Sequence, residues 1–145
     1  MIEPIELRFP VPCSPEHAFD VWTTRTSLWW PPSHSVSGDP GLTVTIEPRV
    51  GGRIVERTPH GEEHTWAEIT GWDPPASFSY RWHLNQEIAD ATEVTITFVP
   101  VGDETEVQIL HRGWERLGAK GPDLQRRNRR GWAAVLPHFQ DACSA

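Results

Sequence analysis

The chain has 145 residues, the length of one ordinary domain, and its composition of 37% hydrophobic and 23% charged residues is typical of globular rather than disordered proteins. Its formal net charge of -7 disfavours binding to a nucleic-acid backbone, which requires a basic surface. With no apolar run of roughly 18 residues and no secretory pattern in residues 1–9, we expect a cytoplasmic protein that does not insert into membranes.

The N-terminal part of the chain predicts one strand followed by two short helices. Ile5 to Phe9 partly alternates apolar and polar residues and is followed by prolines, as in a strand with one buried face. Ser14 is suited to cap a helix that begins at Pro15 and runs to about Thr23. A second short helix is predicted from Ser27 to Trp30, where two prolines stop it.

The middle of the chain predicts a meander of antiparallel strands. Apolar residues alternate with polar ones, between Gly and Pro turns, in Val44–Ile46, Ile54–Arg57, Thr65–Trp72, Phe78–Trp82, Val94–Phe98 and Val107–His111. The parity of the apolar residues changes within the third of these segments, which predicts a bulge near Gly71. The last two segments, joined by a turn at Gly102 and Asp103, carry the strongest hairpin pattern.

The C-terminal segment predicts a long helix that covers the sheet. Pro122 suits the first turn of a helix, and the residues from Gly113 to Gly121 before it predict a loop. One face of the helix is formed by Leu124, Asn128, Trp132, Val135, Leu136 and Phe139. Because helices do not alternate with the strands, the fold class is α+β.

Motifs spread along the chain resemble a known family. They are Pro15, Ala18, Phe19 and Trp22, then Trp29 and Trp30, Gly51 and Gly52, Asp73, Pro74 and Pro75, Tyr80 and Trp82, Thr105, His111 and Gly113, and finally Gly131, Trp132 and Leu136. Their order and spacing resemble the domain of bacterial relatives of the activator of the heat-shock protein 90 ATPase, within the START-related SRPBCC helix-grip superfamily. The resemblance implies one domain, residues 1–145, in which a curved antiparallel sheet of about six or seven strands wraps around the long C-terminal helix, with two short helices after the first strand.

The resemblance also implies a cavity between sheet and helix, but it implies no single activity. Members of the superfamily are similar to lipid carriers, plant hormone receptors, polyketide cyclases and co-chaperones. This sequence departs from the family pattern at Pro137, which predicts a kink in the long helix. The loop from Ser33 to Gly41 is expected to shape the pocket.

The tryptophans are the main indication of a binding site, since eight in so short a chain exceed ordinary usage. An indole combines a large apolar surface with one N–H donor, which suits the wall of a cavity for an apolar ligand. Packing in an ordinary core is the competing interpretation. The candidate ligand-binding residues are Trp30, Trp66, Tyr80, Trp82, His111, Trp114, Trp132, Val135, Leu136 and Phe139.

His111 shares strand parity with apolar neighbours and is expected to point inward beside Trp114. A histidine there is either a structural hydrogen-bonding group or, in an enzyme, the catalytic acid or base. Convergence of Glu56 and Glu68 on it would favour a cyclase or hydratase-like mechanism.

No metal site or cofactor is predicted. The segment His60–His64 spells the H-x-x-E-H string of inverted zinc peptidases, but Pro59 and Gly61 indicate a turn where that chemistry needs a helix. Gly51 and Gly52 precede a strand, so they do not form a phosphate-binding loop.

Three functions remain open at this point. The leading hypothesis is binding of a small hydrophobic or aromatic molecule, such as a lipid, in the pocket; the alternatives are a polyketide cyclase-like or other acid/base enzyme using His111, and a co-chaperone-like interaction domain with a chaperone partner. A homodimer is also compatible with the sequence.

We interpret the basic cluster of Arg126, Arg127, Arg129 and Arg130 as a solvated helix face. The alternative is that the cluster binds an anionic ligand group or an acidic partner. We interpret Cys13 and Cys143 as free thiols.

Overall fold

A computed structural model describes residues 2–144 of the chain. Its strands are β1 (Ile5–Val11), β2 (Thr43–Ile46), β3 (Arg53–Arg57), β4 (Glu63–Asp73), β5 (Ser77–Trp82), β6 (Thr92–Val101) and β7 (Glu104–Arg112). Its α-helices are α1 (Pro15–Thr23), α2 (Thr26–Trp29) and α3 (Gly121–Cys143), and short 3-10 helices span Pro32–His34, Ile88–Asp90 and Trp114–Lys120. The last of these replaces the loop predicted between Gly113 and Gly121.

The seven strands form one antiparallel sheet in the order β1-β7-β6-β5-β4-β3-β2. Helices α1 and α2 lie between β1 and β2, and α3 follows β7, so helices do not alternate with the strands, which confirms the α+β helix-grip prediction. Among the boundaries that differ from the prediction, α2 spans Thr26–Trp29 instead of Ser27 to Trp30, and β1 continues through Pro10 to Val11 instead of ending at Phe9. A proline is tolerated there since β1 is an edge strand that pairs only with β7.

The β6–β7 hairpin shows how the alternating pattern places side chains inside. Every second residue of β6 from Thr92 to Phe98 is buried, as is every second residue of β7 from Thr105 to His111. Val94 pairs with His111 across the two strands, so Thr92 and His111 project from the same face, close to the end of the hairpin. This face is the one that the long helix covers.

Two irregularities in β4 explain the change of parity within that strand. The register against β5 shifts between Ile69 and Gly71, at the position predicted for the bulge. A second shift against β3 leaves Trp66 as an extra residue, so that it is buried together with its neighbour Ala67. At Gly71 a Cβ atom would lie 2.5 Å from Ser79 Oγ, so a larger residue would force the Ser79 side chain to move.

Helix α3 has 23 residues, about 35 Å in length, and buries one face against the sheet and the two short helices. It begins one residue before the predicted start. The helix continues past Pro137, which is exposed, so the proline does not end it. The rings of Trp22 on α1 and Trp29 on α2 lie 4.7 and 5.2 Å from that of Phe139, so aromatic residues fill the space beside the C-terminal half of α3.

Cys13, which follows β1, lies next to Cys143 at the end of α3. Both are free thiols, with Cys143 buried and Cys13 half-buried. Burial raises the pKa of both thiols, and each lies within hydrogen-bonding reach of the other. Gln140 Nε2 also donates to the carbonyl of Pro10 at 3.4 Å, which joins α3 to β1.

Candidate ligand-binding cavity

A cavity of about 240 Å³ lies between the N-terminal half of α3, the end of the sheet and three connecting segments. Its lining is formed by Trp30, Ser33, His34, Ser35, Trp82, Leu84, Asn85, Gln86, Asp90, Thr92, Trp114, Leu117, Leu124, Arg127, Asn128, Gly131, Trp132 and Val135. The aromatic and aliphatic members come from α3, β5 and the connecting segments. The polar members make up about half of the lining and come from the connecting segments, from Thr92 in β6 and from Arg127 and Asn128 on α3. Small-molecule sites likewise combine apolar surface with polar groups that fix the orientation of a ligand.

The tryptophan wall is held by hydrogen bonds within the protein. Trp30 Nε1 donates to the carbonyl of His34 at 3.0 Å, and Trp114 Nε1 donates to the carbonyl of His111 at 3.0 Å. Trp132 Nε1 donates to His111 Nδ1 at 3.1 Å. Because these three N–H groups are already satisfied, the rings are fixed in orientation and contribute mainly apolar surface to the cavity.

The ten candidate binding residues predicted from the sequence fall into two groups, five that line the cavity and five that do not. Trp30, Trp82, Trp114, Trp132 and Val135 line the cavity. The other five do not line it and are Trp66, Tyr80, His111, Leu136 and Phe139. All five are buried. Trp66 and Tyr80 lie with their rings 5.9 and 5.7 Å from that of Trp82, and Leu136 and Phe139 lie farther along α3 than the lining residues.

His111 is completely buried, with both ring nitrogens bonded to side chains that line the cavity. Nδ1 accepts from Trp132, and Nε2 lies 2.7 Å from Thr92 Oγ1. Burial lowers the pKa of His111 to about 3, so the ring is neutral at physiological pH. Glu68, which the sequence analysis considered as its partner, is exposed and forms an ion pair with Arg81 at 3.7 Å.

Glu56 has a different role from the one considered in the sequence analysis, because its buried carboxylate holds the loop beside the cavity. Val36 N and Ser37 N donate to its oxygens at 2.9 and 3.0 Å, Ser37 Oγ donates as well, and Trp66 Nε1 donates at 2.9 Å. Burial by itself raises the pKa of this carboxyl, but these hydrogen bonds outweigh burial and hold the pKa below its usual range. The loop thus fixed carries Ser33, His34 and Ser35 into the lining.

Four polar residues of the lining, Asn85, Gln86, Asp90 and Thr92, were not anticipated from the sequence. Asn128 could be found, since it lies on the predicted helix face, and its Nδ2 donates to the carbonyl of Leu124 at 2.9 Å. Thr92 and Asp90 carry no motif that marks them. Among residues 2–144, Asp90 pairs with Lys120 at 3.0 Å, whereas Arg127 at the cavity edge forms no ion pair.

The zinc-like string His60–His64 lies in the turn after β3 and the start of β4. His64 Nε2 lies 3.3 Å from Glu62, and His60 lies 3.9 Å from Asp39. Within the described residues, no three His, Cys, Asp or Glu side chains are grouped so as to hold a metal ion. None of the helices there has the length and apolar character required to cross a membrane.

Comparison with known proteins agrees with this architecture. A solution structure of CalC, a self-sacrificing resistance protein from Micromonospora echinospora, shares 28% identity with a TM-score of 0.72, over 97% of this chain and 93% of CalC. The anthrahydroquino-gamma-pyrone synthase Txn09 shares 30% identity with a TM-score of 0.65, over 97% of both chains. The Aha1 dimer from Colwellia psychrerythraea shares 19% identity with a TM-score of 0.72, over 98% of this chain and 96% of the Aha1 chain, and supports the fold alone.

A comparison with curated protein sequences gave no significant match. The model of the family described as activator of Hsp90 ATPase homolog 1-like protein matches residues 12–143, which is most of the chain. The protein therefore belongs to the activator of Hsp90 ATPase homolog 1-like family, within the SRPBCC helix-grip superfamily.

Proposed function

We propose that the protein binds a small hydrophobic or aromatic molecule in the cavity between the sheet and α3. The observation that carries the proposal is the wall formed by Trp30, Trp82, Trp114 and Trp132 around a space of about 240 Å³. An apolar cavity of about 150 Å³ holds benzene in another protein, so this space suits a two-ring ligand. The 30% identity to Txn09, an anthrahydroquino-gamma-pyrone synthase, supports a role connected with small aromatic molecules.

Gly131 provides a direct test, because it lines the cavity from α3. A Cβ atom added there would meet nothing within 4 Å, so a larger side chain can enter the cavity without a collision at its base. We expect Gly131→Leu to fill the cavity and to weaken binding of a two-ring probe such as tetralin at least about tenfold, a loss of about 1.4 kcal/mol. Thermal stability should be kept or raised, since glycine is unfavourable inside a helix.

The matched control is Ala134→Leu, which places the same side chain on the exposed face of the same helix. Isothermal titration calorimetry of the wild type and the two variants gives the comparison. Saturable binding by the wild type and Ala134→Leu, but not by Gly131→Leu, supports the proposal. Equal binding by all three proteins would place the probe elsewhere, and failure of the wild type to bind any of a panel of two-ring aromatic and aliphatic probes would contradict the proposed function.

A second candidate is a polyketide cyclase-like enzyme, favoured by the 30% identity to the synthase Txn09. His111, the residue predicted to act as acid or base, has both nitrogens engaged and a pKa lowered by burial to about 3. A neutral, hydrogen-bonded ring of this kind is better suited to orienting its neighbours than to exchanging protons at neutral pH. Turnover of an aromatic polyketide substrate that is lost in His111→Gln, with the fold intact by circular dichroism, would favour the enzyme over the binding protein.

Homodimer formation stays a prediction. The structural relative from Colwellia psychrerythraea was solved as a dimer, and the shared fold makes the same assembly worth testing here. Light scattering after size exclusion should give about twice the 16.4 kDa chain mass for a dimer. Binding to a chaperone also stays a prediction, based on the family description, and calorimetry with a purified Hsp90 tests it.

A further inference from the structure

The hydrogen bonds around His111 have only one possible direction. An indole nitrogen can donate a hydrogen bond but cannot accept one, so Trp132 Nε1 must donate to His111 Nδ1, 3.1 Å away. A neutral imidazole carries a single proton, which therefore sits on Nε2. The pKa of about 3 excludes the doubly protonated ring at physiological pH. His111 consequently donates from Nε2 to Thr92 Oγ1, 2.7 Å away.

This direction leaves the hydroxyl hydrogen of Thr92 unused. The hydroxyl accepts from His111, and within residues 2–144 it has no other hydrogen-bond partner. Thr92 is only 3% exposed, yet it lines the cavity. A buried hydroxyl hydrogen without an acceptor carries a desolvation cost, which an acceptor atom on a bound molecule would remove.

The surroundings of Thr92 reinforce this polarity. The series from Trp132 through His111 to Thr92 contains two hydrogen bonds that run in the same direction, and such chains strengthen each member. A hydrogen bond from Thr92 to a ligand would extend the series in that direction. The rings of Trp114 and Trp132 lie 4.4 and 6.0 Å from that of His111, and their N–H groups are already bonded to His111. Neither of these two N–H groups therefore competes with Thr92 for a ligand oxygen.

We propose that Thr92 is a specificity-determining donor that selects aromatic ligands bearing a carbonyl-type oxygen, with His111 and Trp132 as the residues that fix its orientation. This inference rests on the proposed binding function and deepens it by naming the ligand class: aryl ketones and related compounds with an acceptor oxygen beside an apolar ring. A purely hydrocarbon ligand leaves the Thr92 hydrogen unpaired. A ligand hydroxyl oxygen can also accept the unused hydrogen, but it brings an O–H hydrogen of its own that needs an acceptor, whereas a carbonyl oxygen brings none.

The test uses the matched probes 1-tetralone and tetralin, which differ by a carbonyl in place of a methylene. Calorimetry is run on the wild type, Thr92→Ser, Thr92→Val and the control Thr97→Val, whose position is on the other face of β6. We expect the wild type to prefer 1-tetralone by roughly fivefold to tenfold after correction for the solubility difference, as for one buried hydrogen bond. Thr92→Ser and Thr97→Val should keep the preference, and Thr92→Val should lose it.

A vibrational measurement separates a direct hydrogen bond from a structural role of Thr92. The carbonyl stretch of bound 1-tetralone should move to lower frequency in the wild type than in a hydrocarbon solvent, and the shift should be absent in Thr92→Val. Should that variant fail to fold, the wild-type spectrum and long-range nitrogen–proton NMR of His111 still decide. An unshifted carbonyl stretch, or a proton on Nδ1, overturns the inference.

The outcomes also distinguish this inference from the function beneath it. If tetralin and 1-tetralone bind the wild type equally, the binding function stands and the role of Thr92 is refuted. If neither probe nor any other two-ring compound binds, the binding function falls and the inference falls with it. A preference that survives in Thr92→Val assigns the selectivity to another group in the lining.

Discussion

Replacing Glu56 with glutamine removes the charge of a buried carboxylate while keeping its shape. The two carboxylate oxygens accept from four groups, namely the amides of Val36 and Ser37, the hydroxyl of Ser37 and the indole of Trp66. A glutamine offers one acceptor oxygen, and its NH₂ group faces donors. Two charge-assisted bonds are therefore lost at about 1.5–3 kcal/mol each, so we expect the free energy of unfolding to fall by roughly 3–6 kcal/mol.

Urea unfolding of Glu56→Gln, followed by tryptophan fluorescence, measures this change. The matched control is Glu68→Gln on the neighbouring strand β4, an exposed residue paired with Arg81, for which the change should stay within about 0.5 kcal/mol. Since the clamped loop supplies Ser33, His34 and Ser35 to the cavity, Glu56→Gln should also weaken binding of a two-ring probe. Equal stabilities of the two variants would refute the assignment of Glu56 as the clamp.

Three further predictions concern pH, the long helix and the cysteines. The pKa of His111 in the folded protein, about 3, lies below its ordinary 6.5, so on acidification the unfolded chain binds a proton that the folded chain does not. The contribution of His111 to the free energy of unfolding is therefore full above about pH 6.5 and falls by about 1.4 kcal/mol per pH unit below it. Urea unfolding at several pH values should show this slope in the wild type and a flatter one in His111→Gln. Pro137→Ala should raise the free energy of unfolding by about 1–3 kcal/mol because it restores a backbone donor inside α3, and a lower melting temperature would contradict this. Cys13 and Cys143 should react slowly with Ellman's reagent at neutral pH, since burial raises the pKa of both thiols, and both should react rapidly in urea.

Local periodicity was enough to predict most of the elements. The alternation in β6 and β7, and the apolar face of α3, correspond to buried surfaces that each element must present wherever it packs. The 3-10 helix at Trp114–Lys120 was missed because its short length gives no periodic signal. The extension of β1 through Pro10 could be recognised only once its position at the edge of the sheet was known.

The alternation of residues along β7 correctly predicted that His111 points inward, but it could not identify the hydrogen-bond partners of the ring. Thr92 lies on the neighbouring strand and Trp132 on the helix across the core, so their meeting depends on how α3 seats against the sheet. The same holds for Glu56, whose inward direction was uncertain from the sequence and whose partners come from a loop without regular structure. Long-range hydrogen bonds of this kind leave no local pattern.

There is a physical reason why some of the predicted residues line the cavity and others do not. The apolar face of α3 runs along its whole length, whereas the cavity occupies only the stretch from Leu124 to Val135. Farther along, Trp22 and Trp29 from the two short helices contact Phe139 and occupy the space where the cavity would otherwise continue. The position of the cavity is thus set by the side chains that α1 and α2 insert between sheet and helix. A helical pattern marks the face of α3 that points inward, but the residues that fill or leave open the facing space decide which part of that face lines a cavity.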